Sequence, residues 1–256
     1  MVLESVLDPV FSPLLTLPSW LAILIISVVI TTLTTIAYKY LTDQTKMKAL
    51  KKEMKGAQKR MKELSKSDPQ KAMKMQKDMM GKNMELMRHS FKPTLYTLIP
   101  IIIIFGWLNS HMAYDPLLPN EPFSVTVDMD KGTTGSVEID TIPELQFAKD
   151  ETLVKNVTDG SVMWTMRGGA GEYQLTFTHS SGSQVDQEVL VTDEPGMYEQ
   201  PLVKIRQQPF STVKISNDKI RPLEGFPLVG NWGWIGIYII FSLIISFSLR
   251  KALKVA

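Results

Sequence analysis

The sequence predicts a membrane protein with three transmembrane α-helices, a cytoplasmic antiparallel coiled-coil hairpin and an extracytoplasmic all-β, sandwich-like domain. Three observations support this prediction: three uncharged apolar runs, a lysine- and methionine-rich segment between the first two runs, and short alternating strands between the last two. The predicted segments, in chain order, are an N-terminal segment at 1–18, a span at 19–40, the hairpin at 43–90, a span at 94–113, the β domain at 120–222, a span at 230–249 and a tail at 250–256.

The three apolar runs are each long enough to cross a bilayer. The runs that start at Trp20, Leu95 and Trp232 contain no Asp, Glu, Lys or Arg. A helix needs roughly 17–25 such residues to span the hydrocarbon core. Glu4 and Asp8 stand where a signal peptide would have basic residues, so we expect the first span to be retained.

The charges that flank these runs predict the topology. Residues 39–92 carry sixteen Lys and Arg against six acids, a net charge of +10, whereas residues 114–229 carry nine against eighteen, a net charge of −9. Lys and Arg near span ends stay in the cytoplasm. We therefore expect the hairpin and the C-terminal tail in the cytoplasm, the N-terminus and the β domain outside, and the protein in the cell (plasma) membrane.

The hairpin contains a pattern of apolar residues spaced alternately by three and four, which is typical of a coiled-coil seam. The seam consists of Met47, Leu50, Met54, Ala57, Met61 and Leu64. Asp68 and Pro69 are typical of a helix start, so a second helix is expected to return along the first.

The second hairpin helix has more methionines than one seam requires. Methionine adapts to varied apolar surfaces, which favours an adaptable contact surface for a substrate, although methionines that only hold the two helices together remain an alternative. The predicted contact residues are Met75, Met79, Met80 and Met84.

The basic residues of the hairpin exceed what orientation in the membrane requires. Anionic lipid head groups and the phosphates of ribosomal RNA are the expected partners, with a solvated helix face as the alternative. Because no aromatic side chain lies among these residues, base stacking is not expected, and a ribosome contact would be weak. The predicted contacts are Lys51, Lys52, Lys55, Lys59, Arg60 and Lys62.

The predicted β domain consists of about eight short alternating runs separated by turn residues, which is typical of a sandwich. Trp164 and Phe177 are expected in its core, and His179 in an exposed turn. Asp128 and Asp130 lack the ligand spacing of a calcium loop. With no cysteine, no phosphate-binding glycine loop and no convergent titratable groups, we expect no enzymatic activity, no cofactor and no metal.

Hydroxyl groups cluster toward the cytoplasmic halves of the first and third spans. Thr31, Thr35 and Tyr38 share one helix face, and Ser242 and Ser246 are one turn apart. Small residues of this kind support close helix packing and bond back to their own helix. A wet groove that opens to the cytoplasm is the functional alternative.

The order of span, basic hairpin, span and polar final span resembles the archaeal branch of the YidC/Oxa membrane insertase superfamily, with the β domain inserted between the second and third spans. The resemblance implies an insertase or chaperone that passes hydrophobic segments of nascent membrane proteins from the cytoplasm into the bilayer without nucleotide hydrolysis. The implied partners are nascent membrane proteins, the ribosome, anionic lipids and other translocation components. The implied groove residues are Thr31, Thr35, Tyr38, Ser242 and Ser246.

Bacterial members of this superfamily place an arginine within the groove. Here no charge lies inside the three apolar runs, and Lys39 and Arg250 at the cytoplasmic rim are the nearest substitutes. A second hypothesis is a membrane-anchored signalling or scaffold subunit, whose extracytoplasmic domain binds a partner and whose coiled coil passes that event inward.

Overall fold

The computed structural model describes residues 4–253 and 255, and it describes the backbone alone at residues 4–6, 65, 66, 69, 89, 90 and 92. Residues 1–3 of the predicted N-terminal segment, and Lys254 and Ala256 of the predicted tail, lie outside the described residues. The chain forms two compact units. The sandwich unit contains Met1–Ser19 and Gly106–Trp234, and the helical unit contains Trp20–Phe105 and Ile235–Ala256.

The described residues form five α-helices. They are α1 (Glu4–Leu15), α2 (Ser19–Leu41), α3 (Gln44–Ser67), α4 (Pro69–His111) and α5 (Trp234–Ala252). Three helical segments of the described chain are long and apolar enough to cross a membrane: Ser19–Leu41, Pro93–His111 and Trp234–Ala252. The three predicted spans are thus confirmed as apolar helices. The third begins four residues later than predicted, because residues 221–232 form hydrogen-bonded turns.

Helix α4 joins two elements that the sequence predicted separately. It runs for 43 residues, from the second hairpin helix through the second span, and it contains Pro93 and Pro100. Each proline removes one backbone donor, but the helical bonds on both sides are enough to continue the helix. The Asp68 carboxylate caps its start by accepting a bond from the Lys71 N–H (3.1 Å). The Lys71 ammonium group also donates a hydrogen bond to this carboxylate. That bond and, to a smaller extent, the bond from the Lys71 N–H hold the pKa of Asp68 below its ordinary value.

Helix α1 is the described part of the predicted N-terminal segment, for which no structure was predicted. Within the sandwich unit it packs on the last turns of α4. Trp107 Nε1 donates to Asp8 Oδ1 (2.8 Å), and the Phe11 ring lies 5.2 Å from the Trp107 ring, centroid to centroid. His111 stacks on the same indole at 4.5 Å, within α4. The short helix is therefore held by a charge-assisted hydrogen bond and one ring contact.

The β domain has nine strands in two antiparallel sheets, with orders β3-β5-β1-β9-β8 and β4-β2-β6-β7. The strands are β1 (Phe123–Met129), β2 (Ser136–Ile142), β3 (Gln146–Phe147), β4 (Val154–Asn156), β5 (Ser161–Arg167), β6 (Gly171–His179), β7 (Gln184–Val191), β8 (Leu202–Lys204) and β9 (Phe210–Ile215). The ninth strand, β3, was not predicted because two residues are too few to show alternation.

The core of the domain lies between the two sheets, where alternate residues of each strand point inward. Trp164 and Phe177 are both fully buried, as predicted, and their ring centroids are 5.8 Å apart. Trp164 Nε1 donates to the Thr152 carbonyl oxygen (3.0 Å), so the indole is buried without an unpaired donor.

His179 is buried, with 6% of its surface exposed, so the prediction of an exposed turn histidine is wrong. Its Nδ1 accepts a hydrogen bond from the Ser181 N–H (3.1 Å), and its Nε2 lies 3.1 Å from the Thr134 carbonyl oxygen. Both contacts form when the proton is on Nε2. The imidazole therefore joins the β1–β2 turn to the β6–β7 turn. The sequence did not indicate this because Thr134 is far away along the chain.

The two segments that enter and leave the sandwich meet at its opposite end. Asp115 N–H donates to the Asp218 carbonyl oxygen (2.8 Å), and Ile220 N–H donates to the Ala113 carbonyl oxygen (3.1 Å). Tyr198 braces this junction, because its hydroxyl donates to the Asn109 carbonyl oxygen at 2.5 Å. Burial raises the pKa of the Tyr198 hydroxyl.

Replacing His179 with alanine is expected to loosen the end of the sandwich that is farthest from this junction. The Thr134 carbonyl and the Ser181 amide would lose a buried partner, which costs about 1–3 kcal/mol. Hydrogen–deuterium exchange of the full chain in detergent micelles should become faster in the β1–β2 and β6–β7 turns. The half-exposed neighbour Thr178 provides the control, and Thr178→Ala should exchange like the parent. Unchanged exchange in His179→Ala would contradict this role.

Candidate functional site

A polar cavity of about 150 Å³ lies within the helical unit, among α2, α4 and α5. Three of the predicted groove residues line it, namely Thr35, Tyr38 and Ser246. The sequence prediction named no groove residue on α4. The additional lining residues are Thr34, Pro93, Thr94, Thr97 and Arg250. Thr94 and Thr97 lie one turn apart beside Pro93, at the start of the predicted second span. This pair of hydroxyls was the signal in the sequence that could have indicated a contribution of α4 to the cavity.

Arg250 supplies the positive charge at this cavity. Its Nε donates to the Ser246 hydroxyl one turn earlier (3.3 Å), and its guanidinium carbon lies 5.1 Å from the centroid of the Tyr38 ring. The second contact is a cation–π interaction, which attracts the guanidinium to the ring face. Arg250, predicted as a rim charge, is thus held against two of the predicted groove residues.

Several threonines around the cavity satisfy their hydroxyls within their own helices. Thr97 Oγ1 donates to the carbonyl oxygens of Pro93 (3.1 Å) and Thr94 (3.2 Å), and Thr34 Oγ1 donates to that of Thr31 (3.1 Å). This is the back-bonding that the packing explanation requires. It leaves the lone pairs of these hydroxyls as acceptors for a further partner.

The other two predicted groove residues, Thr31 and Ser242, do not line the cavity. Their hydroxyls and that of Ser27 are buried and have no hydrogen-bond partner among the described residues. Ser27, Thr31 and Thr35 follow each other at intervals of four along α2, so they share one helix face. An unpaired buried hydroxyl costs about 1–3 kcal/mol.

Helices α3 and α4 run antiparallel beside each other. Lys46 Nζ lies 2.7 Å from Glu85 Oε1, and Lys82 forms an ion pair with Glu53. The predicted seam residues of α3 are withdrawn from the surface: Met47 and Leu50 are buried, and Met54, Ala57, Met61 and Leu64 are half-buried.

The four methionines predicted to contact a substrate lie on two different faces of α4. Met75 and Met79 are half-buried and line a cleft with Gly56 and Ala57 of α3. Met80 and Met84 are 70% and 58% exposed. The first pair therefore belongs to the contact between the helices, and the second pair points away from it.

The two exposed methionines belong to a longer apolar stripe on α4. Around an ideal helix its positions lie within about 80° of one another, and all of them are exposed. The stripe consists of Met73, Met80, Met84, Met87, Phe91, Leu95, Leu98 and Ile102. It begins in the charged helix pair and continues into the second span, on a different face of α4 from Thr97 and Met79.

The six predicted basic contacts are all exposed on α3: Lys51, Lys52, Lys55, Lys59, Arg60 and Lys62. Within the described residues, no group of three or more His, Asp and Glu side chains is placed to hold a metal ion. The helical unit thus presents three distinct surfaces, which are a basic face, an apolar stripe and a polar cavity.

Comparison with known proteins identifies the family. A family model described as integral membrane protein EMC3/TMCO1-like matches residues 4–136, slightly more than half of the 256 residues. No curated protein and no solved structure matches the chain. The match supports the superfamily that the sequence resemblance indicated, but the branch is not specifically YidC-like. The chain therefore belongs to the EMC3/TMCO1-like family of integral membrane proteins, within the broad Oxa1/YidC/Alb3 insertase superfamily.

Proposed function

We propose that the protein is an insertase and chaperone that receives apolar segments of nascent membrane proteins from the cytoplasm and passes them into the bilayer without nucleotide hydrolysis. The observation that carries this proposal is the apolar stripe, which continues from Met80 in the helix pair to Ile102 in an apolar, membrane-length part of α4. The insertion-related role of the EMC3/TMCO1-like family supports it.

The first step is capture of a substrate segment by the stripe. Full burial of a methionine or phenylalanine side chain contributes about 1.5–3 kcal/mol, so partial cover of Met80, Met84 and Met87 gives a weak, reversible contact. Flexible methionine side chains adapt to segments of different shape. Removal of apolar surface from water supplies the free energy of the later steps, so hydrolysis is not needed.

The second step is passage of the polar flank of the segment. An unpaired polar group in lipid costs several kcal/mol. The hydroxyls that line the cavity beside Arg250 offer hydrogen-bond partners part of the way across. The groove would thereby lower the barrier that a substrate's polar end meets.

The basic face of α3 would hold the ribosome or an anionic lipid surface close to the apolar stripe. Its exposed lysines attract phosphates of ribosomal RNA or anionic lipid head groups through a salt-sensitive interaction. This proposal places the helix pair and the C-terminus in the cytoplasm, the N-terminus and the β domain outside, and the protein in the plasma membrane, as the charge distribution predicts.

Removal of stripe methionines is expected to slow insertion. In liposomes with the purified full chain, the double variant Met80→Ser, Met84→Ser should insert a single-span client at limiting concentration about tenfold more slowly, because each methionine contributes about 1.5–3 kcal/mol on full burial. Met163→Ser is the matched control, since Met163 is a 54%-exposed methionine on the β domain. Insertion that is unchanged by the double variant, or by omission of the protein, would refute the proposed function.

Photo-crosslinking distinguishes the two faces of α4. A photoreactive residue in place of Met80 or Met84 should capture nascent chains in ribosome–nascent-chain complexes, whereas one in place of Met75 or Met79 should crosslink mainly to α3. Capture of many different nascent chains supports an insertase. Capture of one dedicated protein from all four positions would favour a signalling or scaffold subunit instead.

Thiol labelling measures whether the cavity is wet. The chain has no cysteine, so single-cysteine variants react at one position only. In proteoliposomes, a small charged thiol reagent should modify Ser246→Cys several-fold faster than Ile244→Cys, because water at the cavity permits thiolate formation and lipid around the exposed Ile244 does not. Equal rates would indicate a dry, packed interface around Ser246.

A further inference from the structure

Residues 222–232, which lead from the sandwich to α5, form a compact loop with apolar side chains on its outside. Four backbone hydrogen bonds of 2.9–3.1 Å fold it into successive turns, including Phe226 N–H to the Leu223 carbonyl oxygen and Gly230 N–H to that of Phe226. A side chain at Gly230 would meet the Phe226 carbonyl oxygen at 2.7 Å, so the last turn requires glycine. The loop thus has a defined shape.

The apolar side chains of this loop are not covered by the sandwich unit. Leu228 is 96% exposed and Phe226 64% exposed. Leu228 also has a φ of 71°, in the left-handed region where a leucine is disfavoured. This conformation turns a large apolar side chain outward, which costs free energy in water and gains free energy in an apolar environment.

The position of the loop in the chain identifies that environment. From Gly225 to Leu249 there is no charged residue, and α5 begins at Trp234. The sixteen residues from Trp234 to Leu249 give about 24 Å of helix, which is shorter than the roughly 30 Å of a hydrocarbon core. Residues 225–233, which precede α5, extend this uncharged run toward the sandwich, and Trp232 is of the type enriched at the interface.

The charges at the start of the loop mark its polar boundary. Arg221 and Glu224 lie 3.9 Å apart as an ion pair, and no charge follows them until Arg250. Residues 114–229 carry a net charge of −9, so anionic head groups would repel this segment and not attract it. Electrostatic attraction to a membrane therefore does not explain the exposed apolar residues of the loop. Contact with acyl chains does account for them.

We propose that this loop is a lipid-binding element: Phe226, Leu228 and Trp232 insert into the bilayer leaflet on the side of the β domain. The loop then anchors the base of the sandwich, where the entering and leaving segments meet, at the membrane surface. Insertion of a phenylalanine and a leucine into an apolar phase is favourable because it removes their side chains from water. The occupant of this surface is lipid, whatever substrate the helical unit handles.

Depth-dependent fluorescence quenching tests the proposal on the full chain. Leu228→Cys, labelled with an environment-sensitive fluorophore, is reconstituted in phosphatidylcholine liposomes that contain lipids with a spin label on the upper acyl chain. Lys131→Cys, in the exposed β1–β2 turn at the opposite end of the sandwich, is the matched control. The Leu228 probe should be quenched several-fold more by the spin-labelled lipid than the Lys131 probe, and Phe226→Cys should behave like Leu228→Cys.

Two results would overturn the proposal. Quenching of the Leu228 and Phe226 probes by aqueous iodide, to the same extent as the Lys131 probe, would place the loop in water. Protection from both quenchers would indicate a protein contact instead, either with a second copy or with another chain. Since neither probe lies in the helical unit, both results are independent of whether insertion activity is found.

Discussion

Charged side chains lose several kcal/mol of hydration when they enter a bilayer, and this cost divides the chain. The apolar stretches of its helices carry no charge except near their ends, while lysines collect in the helix pair and acids collect in the sandwich. Other features follow from the same constraint. Arg250 stays at the end of α5 and rests its guanidinium on Tyr38, and the hydroxyls inside the spans bond to their own helices or stay unpaired. The polar cavity accordingly lies at the end of α5 that carries Arg250.

Helix α4 takes part in the contact with α3, in the polar cavity and in the apolar stripe. One of its faces meets α3 through Met75 and Met79, and farther along it contributes Thr94 and Thr97 to the cavity. Another face carries the apolar stripe. A single helix thus presents partners for both apolar and polar parts of a substrate, at positions fixed by its 3.6-residue period. In the proposed function no nucleotide is needed, because the apolar stripe supplies the free energy and α4 contributes to the polar cavity together with α2 and α5.

Local patterns were sufficient for much of this structure. Uncharged runs predicted the spans, period-two alternation predicted eight of the nine strands described, and the Asp68–Pro69 pair predicted the start of α4. Tertiary contacts decided the rest. His179 is buried because two distant turns close around it, and Arg250 reaches the cavity because α5 packs beside α2. The continuity of α4 was missed because proline is a frequent helix end, although a long helix tolerates the loss of single bonds.

The uninterrupted course of α4 also affects how a bound segment would move. From Met73 to Ile102 the stripe extends over about 44 Å, and neighbouring apolar positions are at most seven residues apart. A segment that slides along it exchanges one side-chain contact for the next before the first is lost. The free-energy profile is then a series of shallow steps rather than one deep well beside one high barrier. In the proposed function, such a series of contacts would hold each substrate briefly and would distinguish substrates by the length of their apolar run more than by its exact sequence.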